Sequence, residues 1–129
     1  MKGFRAVIDS AGTSSWHSGE APDPRAIQVA MRHGVDISGL RARVFIQDDF
    51  EKFDIIYVAD EDVYRDVVAL AESDKDRARV EYMLNVTYPS CNKPVPDPYY
   101  GGEQGFENVY ELLDEACEKI SEIIAGMHA

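Results

Sequence analysis

Residues 96–102 read PDPYYGG, which places the carboxyl of Asp97 between two prolines and ahead of two tyrosines. Each proline fixes its own backbone and restricts the residue before it, so Asp97 rides a stiffened loop, as a general acid or base must. The same residues also make an ordinary turn, since Asp-Pro followed by Gly-Gly is common turn chemistry. Other chemistries find little support. His17, His33 and His128 are widely spaced and neither Cys91 nor Cys117 has a cysteine two residues away, so no metal site is indicated. There is no GxGxxG, no Walker loop and no G-x-S-x-G, and no cofactor is expected.

The elements that must hold Asp97 alternate between strand and helix. Residues 5–10, RAVIDS, suggest a buried strand ending at a polar loop. Asp23-Pro24 reads as a helix cap followed by proline at the first helical position. Ile27, Ala30 and Met31 recur inward until Gly34 stops the helix. Residues 35–44 are irregular and basic, and Asp48, Asp49 and Phe50 suggest a short helical turn. Residues 54–59, DIIYVA, form the clearest strand, apolar enough to be covered on both faces, and Asp60-Glu61-Asp62 puts acids at the next helix start.

That helix is expected over residues 61–71 with Val63, Tyr64, Val67 and Leu70 inward, followed by a charged break at 72–77. Residues 80–86 fit a strand or a helix end, and the alternation favours a strand. From Gly105 onward Phe106, Val109, Leu113, Ala116, Ile120, Ile123 and Met127 form one apolar stripe, with Glu107, Glu111, Glu118 and Glu122 outside it. The expected fold is α/β, one domain over residues 1–129.

A chain of 129 residues can bury roughly two-thirds of the surface its unfolded form exposes. Hydrophobic residues make up 45% and charged residues 29%, with no long apolar run, so no membrane partner is expected. The first eight residues, MKGFRAVI, are too short for a secretory signal, which predicts a cytoplasmic protein. Cys91 and Cys117 leave room for at most one disulfide. The net charge of −11 would repel a phosphate backbone, so nucleic acid is not an expected partner. Arg25, Arg32, Arg41 and Arg43 cluster early in the chain and could still give a local positive surface for a phosphorylated substrate.

Four short motifs occur in order on this pattern: DSAGTSSW at 9–16, DPR at 23–25, DF-x-x-FD at 49–54, and PDPYYGG at 96–102. Each is weak alone, and together they resemble the low-molecular-weight protein tyrosine phosphatases, from about Val7 to the end of the last helix. The resemblance implies a three-layer α/β/α fold with a parallel sheet of order 2-1-3-4. It implies hydrolysis of a phosphotyrosine protein or small aryl phosphate through a phosphocysteine intermediate. Asp97 would protonate the leaving phenol and then activate water. Trp16, Tyr99 and Tyr100 would line the substrate entrance, His17 would lie on its rim, and Ser10 would support the network ordering the phosphate loop. Read from the residues alone, Trp16 also fits simple packing and Ser10 a hydroxyl bonding its own backbone.

The family's nucleophile opens a C-x5-R loop, and the sequence has none: Asp97 stands six residues after Cys91 and Ile123 six after Cys117. The resemblance begins at the family's second strand, so one βα unit, on the order of 30 residues, is expected to be missing. Loss of a central strand would leave its two neighbours about 9–10 Å apart with unpaired edges, so self-association through the exposed edge is an expected outcome. Where many members have a histidine supporting the phosphate loop, Leu40 stands here and cannot make that bond. That change is not expected to inactivate; the absent nucleophile loop is what makes the chain alone expected to be inactive. A non-catalytic partner-binding relative is the alternative, and an arsenate reductase-type relative would need a thiol relay for which Cys91 is the one loop candidate.

Overall fold

A computed structural model describes residues 9–13, 19–96 and 102–127. The expected strand at 5–8 lies outside them. Helix α1, Pro24–Arg32, starts where the sequence places it: the Asp23 carboxylate accepts from the Arg25 N–H at 2.8 Å and Pro24 needs no partner. Its end is a Schellman turn. Gly34, at φ +80°, donates to Met31 O, and Val35 donates to Ala30 O, both at 2.9 Å. Val29 and Ala30 are buried, whereas Met31 is 51% exposed. The expected inward stripe of α1 is thus rotated toward Val29.

Residues 35–43 form no regular element, and Val44 makes one parallel bridge with Gly12. Helix α2, Asp49–Lys52, is the expected short turn. Strand β1, Ile56–Val58, is shorter than the 54–59 expected. Helix α3, Glu61–Val68, is capped by Asp60, whose carboxylate accepts from the Val63 N–H at 2.9 Å. Leu70 falls past the helix end, off its phase, and is 41% exposed. The stretch expected to be a charged break contains helix α4, Asp74–Ala78. Ser73 caps it from one side and the Asp76 carboxylate reaches back to the Glu72 N–H.

Residues 80–86 divide between both alternatives: strand β2, Val80–Tyr82, runs into a 3-10 helix, Met83–Val86. Strands β1 and β2 pair in parallel, with Ile56, Tyr57 and Val58 opposite Val80, Glu81 and Tyr82. The α/β class with a parallel sheet is therefore as expected, and two strands of the sheet fall among the described residues.

Side chains alternate across a strand, so Ile56 and Val58 share a face with Val80 and Tyr82. On that face Val58, Val80 and Tyr82 pack with Phe45, Phe50 and Val67, flanked by Val63, Tyr64 and Val68. Tyr64 stacks on Tyr82 with ring centroids 5.2 Å apart, and Phe45 meets Phe50 edge-on at 5.3 Å. Arg79 closes the unit by donating from Nη1 to the carbonyls of Phe50 and, at 3.2 Å, Phe53.

Helix α5, Gly102–Met127, starts three residues before the expected Gly105. It packs against α1 and the 3-10 helix, with Phe106 and Ala116 buried. Ile123, two turns beyond Ala116, is 44% exposed because the described partners no longer cover the helix there. Glu107, expected on the outer face, instead turns toward α1. One carboxylate oxygen bonds His33 Nε2, and the other lies 3.9 Å from Arg32 Nη1. The His33 ring stacks on Tyr110 at 4.1 Å, so the C-cap of α1 is clamped to α5.

Candidate functional site

The stretch that leads to PDPYYGG is tied to the sheet at two points. Asn85 follows β2, accepts from the Asn92 N–H at 2.8 Å, and donates from Nδ2 to Asn92 Oδ1 at 2.9 Å and to Glu81 Oε1. Val95 donates to Ala59 O at 2.8 Å, just past the end of β1. Both ties lie at the carboxyl ends of parallel strands, where ligands bind in open α/β sheets. Between them Ser90 and Asn92 adopt positive φ, and Lys93 lies 4.4 Å from the Tyr88 ring centroid. Helix α5 begins at Gly102, so residues 97–101 join two anchored ends. Asp97, Tyr99 and Tyr100 themselves lie outside the described residues, as do Trp16 and His17.

The stretch around Trp16 has anchored flanks too. Gly12 donates to Arg43 O and accepts from Phe45 N, both at 2.8 Å. On the other side Gly19 donates to Ala42 O at 2.6 Å and Glu20 O accepts from Ala42 N at 2.8 Å. Residues 42–45 therefore hold both ends of the segment 14–18. Ser10 is exposed, and its N–H donates to Asp9 Oδ1 at 2.8 Å. It lines a groove of about 170 Å³ with Glu20, Pro22, Leu40 and Arg41. The sequence brings Ser10 to this groove, and no hydrogen bond among the described residues joins it to the 87–96 loop.

Sequence reasoning missed the ionic centre behind this stretch. Arg43 donates from Nη1 and Nη2 to the two oxygens of Asp49 at 3.0 and 3.2 Å, and from Nε to Asp9 Oδ2 at 3.1 Å. Asp49 is buried, with 2% of its surface exposed, and its Oδ2 also accepts from the Ile46 N–H at 2.9 Å. Burial alone would raise its carboxyl pKa. The Arg43 guanidinium, the Ile46 N–H and the Lys52 charge outweigh burial and hold it below the usual carboxylate range. Asp49 supplies the first residue of DF-x-x-FD, but a motif letter does not reveal that its carboxylate is inward.

The four arginines read as a positive cluster are instead largely engaged. Arg25 pairs with Asp23, Arg32 lies near Glu107, Arg43 holds Asp9 and Asp49, and Arg41 donates to the Ser38 and Leu40 carbonyls. Acids neutralise Arg25, Arg32 and Arg43 locally, whereas the partners of Arg41 are uncharged carbonyls. Leu40 is 54% exposed.

Neither cysteine heads a C-x5-R loop. Both are exposed and free; Cys91 donates its backbone N–H to Tyr88 O in the 87–96 loop, and Cys117 lies on α5. Partial burial of its sulfur and the Asp114 charge push the Cys117 thiol upward, opposite to what a nucleophilic thiolate needs. Among the described residues no group of His, Cys, Asp and Glu could hold a metal ion, and no helix is long and apolar enough to cross a membrane.

The parallel pairing of β1 and β2, with helices between and beside them, makes this an α/β protein whose anchored loops lie beyond the carboxyl ends of the strands. The family model for low molecular weight phosphotyrosine protein phosphatase matches residues 1–127, and the chain belongs to that family. A Synechocystis relative described as a candidate low molecular weight protein-tyrosine-phosphatase is 42% identical over 115 residues, covering 89% of this chain and 73% of its own. The low molecular weight phosphotyrosine protein phosphatase of Schizosaccharomyces pombe is 36% identical, covering 92% and 75%. Among solved structures, a protein tyrosine phosphatase from Entamoeba histolytica with Hepes in its active site superposes with a TM-score of 0.84 at 31% identity, covering 95% of this chain and 78% of that one.

Proposed function

We propose that the chain supplies the general-acid half of phosphotyrosine monoester hydrolysis, with Asp97 as the acid. The observation that supports this is the double anchoring of the loop leading to Asp97, by Val95 on Ala59 and Asn92 on Asn85, in a member of a tyrosine phosphatase family. In the first step a thiolate forms an S–P bond, the P–O bond to the phenol breaks, and Asp97 gives its proton to the departing oxygen. In the second step water forms a new O–P bond, the S–P bond breaks, and the Asp97 carboxylate takes the water's proton. Trp16, Tyr99 and Tyr100 stack beside the ring, His17 lies on the rim, and Ser10 supports the phosphate loop. The substrate is a phosphotyrosine protein or small aryl phosphate in the cytoplasm, and no cofactor takes part.

The thiolate is not among these residues, because neither cysteine is followed by arginine six positions on. A phosphate loop supplied by sequence outside the 129 residues would complete the site. The chain alone therefore shows no turnover of p-nitrophenyl phosphate above buffer, and activity that Asp97→Asn abolishes would overturn this assignment. Coding DNA upstream of Met1 that reads in frame through a strand and a C-x5-R loop supports the enzyme. A stop codon there favours the second reading, a non-catalytic relative that binds a partner or a second copy through an open edge of its two described strands. In a chain that carries the loop, Asp97→Asn lowers the rate roughly 10²–10⁴-fold.

A further inference from the structure

We propose that the side-chain amide of Asn85 is a latch that holds the strap of residues 86–92 in one shape and that opens without the sheet opening. Its Oδ1 accepts from the Asn92 N–H at 2.8 Å, and its Nδ2 donates to Asn92 Oδ1 at 2.9 Å and to Glu81 Oε1 at 2.6 Å. The amide fits only this way round, because the Glu81 carboxylate accepts and the Asn92 N–H donates. Glu81 is fixed in turn: it belongs to β2, and the same oxygen accepts from the Tyr82 N–H at 2.8 Å. A chain of bonds thus runs from the sheet through one amide to the exposed strap. What it holds there is strained. Ser90 and Asn92 have φ of 62° and 48°, a left-handed conformation that costs free energy in residues other than glycine and persists only where neighbours enforce it. Pro89 and Pro94 fix their own φ, so a change of shape falls on residues 90–93. Once the amide pair breaks, Ser90 and Asn92 can relax to negative φ, so two exposed hydrogen bonds separate the two shapes of the strap. The Cys91 N–H bond to Tyr88 O lies inside the strap and goes with it, whereas the Val95 N–H bond to Ala59 O lies beyond it and stays made.

The bearing on catalysis rests on the phosphatase reading, in which the strap leads into Asp97; the latch itself does not. The test is amide hydrogen exchange, followed residue by residue by NMR, in the 129-residue chain, in Asn85→Leu, and in Asn85→Asp with and without Glu81→Gln. In the parent chain Cys91 and Asn92 exchange about tenfold or more slowly than in an unstructured peptide. Low urea hardly changes that rate, since a local opening exposes little new surface. Asn85→Leu keeps the volume and removes both bonds, which brings the two amides to within about threefold of the unstructured rate while Val95 and Ile56 stay protected. Asn85→Asp loses the donor and sets a second carboxylate beside Glu81, so it opens the strap as well. Adding Glu81→Gln removes that repulsion, supplies an N–H donor and restores part of the protection at Asn92, a rescue that lost packing would not give.

Asn92 exchanging at the unstructured rate in the parent, or staying protected in a folded Asn85→Leu, would overturn the inference. So would Val95 losing its protection together with Asn92, because the strap would then not open apart from the sheet. If Asn85→Leu does not fold, Asn92→Ala, which cuts the pair from its exposed end, is read at Cys91 by the same criteria. The phosphatase reading is addressed separately in a chain carrying a C-x5-R loop. There Asn85→Leu lowers turnover of phenyl phosphate more than that of p-nitrophenyl phosphate, since the poorer leaving group depends more on a positioned acid. An equal fall in both counts against the acid step and leaves the exchange result standing.

Discussion

Asp49 is buried and held by one guanidinium and one backbone N–H, so the value of each contact depends on the other being present. Asp49→Ala leaves Arg43 and the Ile46 N–H without their acceptor and should cost about 3 kcal/mol, read from the urea midpoint at constant slope. The pH dependence follows from the lowered folded value of this carboxyl. Its stabilising contribution is fully present above the unfolded value of about 3.9 and is lost as pH falls through the folded one. Stability should therefore drop below about pH 4, and Asp49→Asn should flatten that acid limb while retaining an acceptor for Ile46. Asp97 differs in kind. Its proposed role as an acid rests on the PDPYYGG motif and the family resemblance it belongs to, whereas the burial of Asp49 depends on residues brought from α2 and the 42–45 stretch.

The starts of α1 and α3 are marked by side chains, and that is why they could be read. Asp23-Pro24 and Asp60 each put an acceptor ahead of free N–H groups, and both caps form. Asp60→Ala should cost about 1 kcal/mol and raise amide exchange at Val63, with Ser73→Ala similar in size for the smaller α4. A Ser73 variant that leaves the urea midpoint unmoved would mean α4 contributes nothing to the global unfolding. Helix α4 escaped the periodicity argument because it buries no residue, so there was no apolar stripe to find. Ser73 and Asp76 carried the signal instead. In α5 the stripe was visible, but Glu107 was assigned outward from its phase alone. Its real neighbours, His33 and Arg32, come from 74 and 75 residues earlier in the chain, a proximity that periodicity cannot supply.

At the scale of the molecule the net charge of −11 opposes compaction, and several bases are already engaged with local acids. Raising sodium chloride from about 10 mM to about 150 mM should screen the remaining acid-to-acid repulsion and raise the urea midpoint, whereas a fall would mean ion pairs dominate. The α/β class and the parallel pairing were legible from alternating elements. Met31, Leu70 and Ile123 were misplaced because a stripe tells which residues are apolar and not the rotation of the helix, where it ends or how far a partner extends.

The cluster around β1, α3 and β2 has a consequence for folding kinetics. All its members come from residues 45–82, so assembling it closes only short loops, whereas joining α1 to α5 must close a far longer one. Conservative truncations there, such as Val67→Ala, should slow refolding, while His33→Ala should chiefly speed unfolding. Chevron plots of the two variants would reveal a nucleus already complete before the ends of the chain have met.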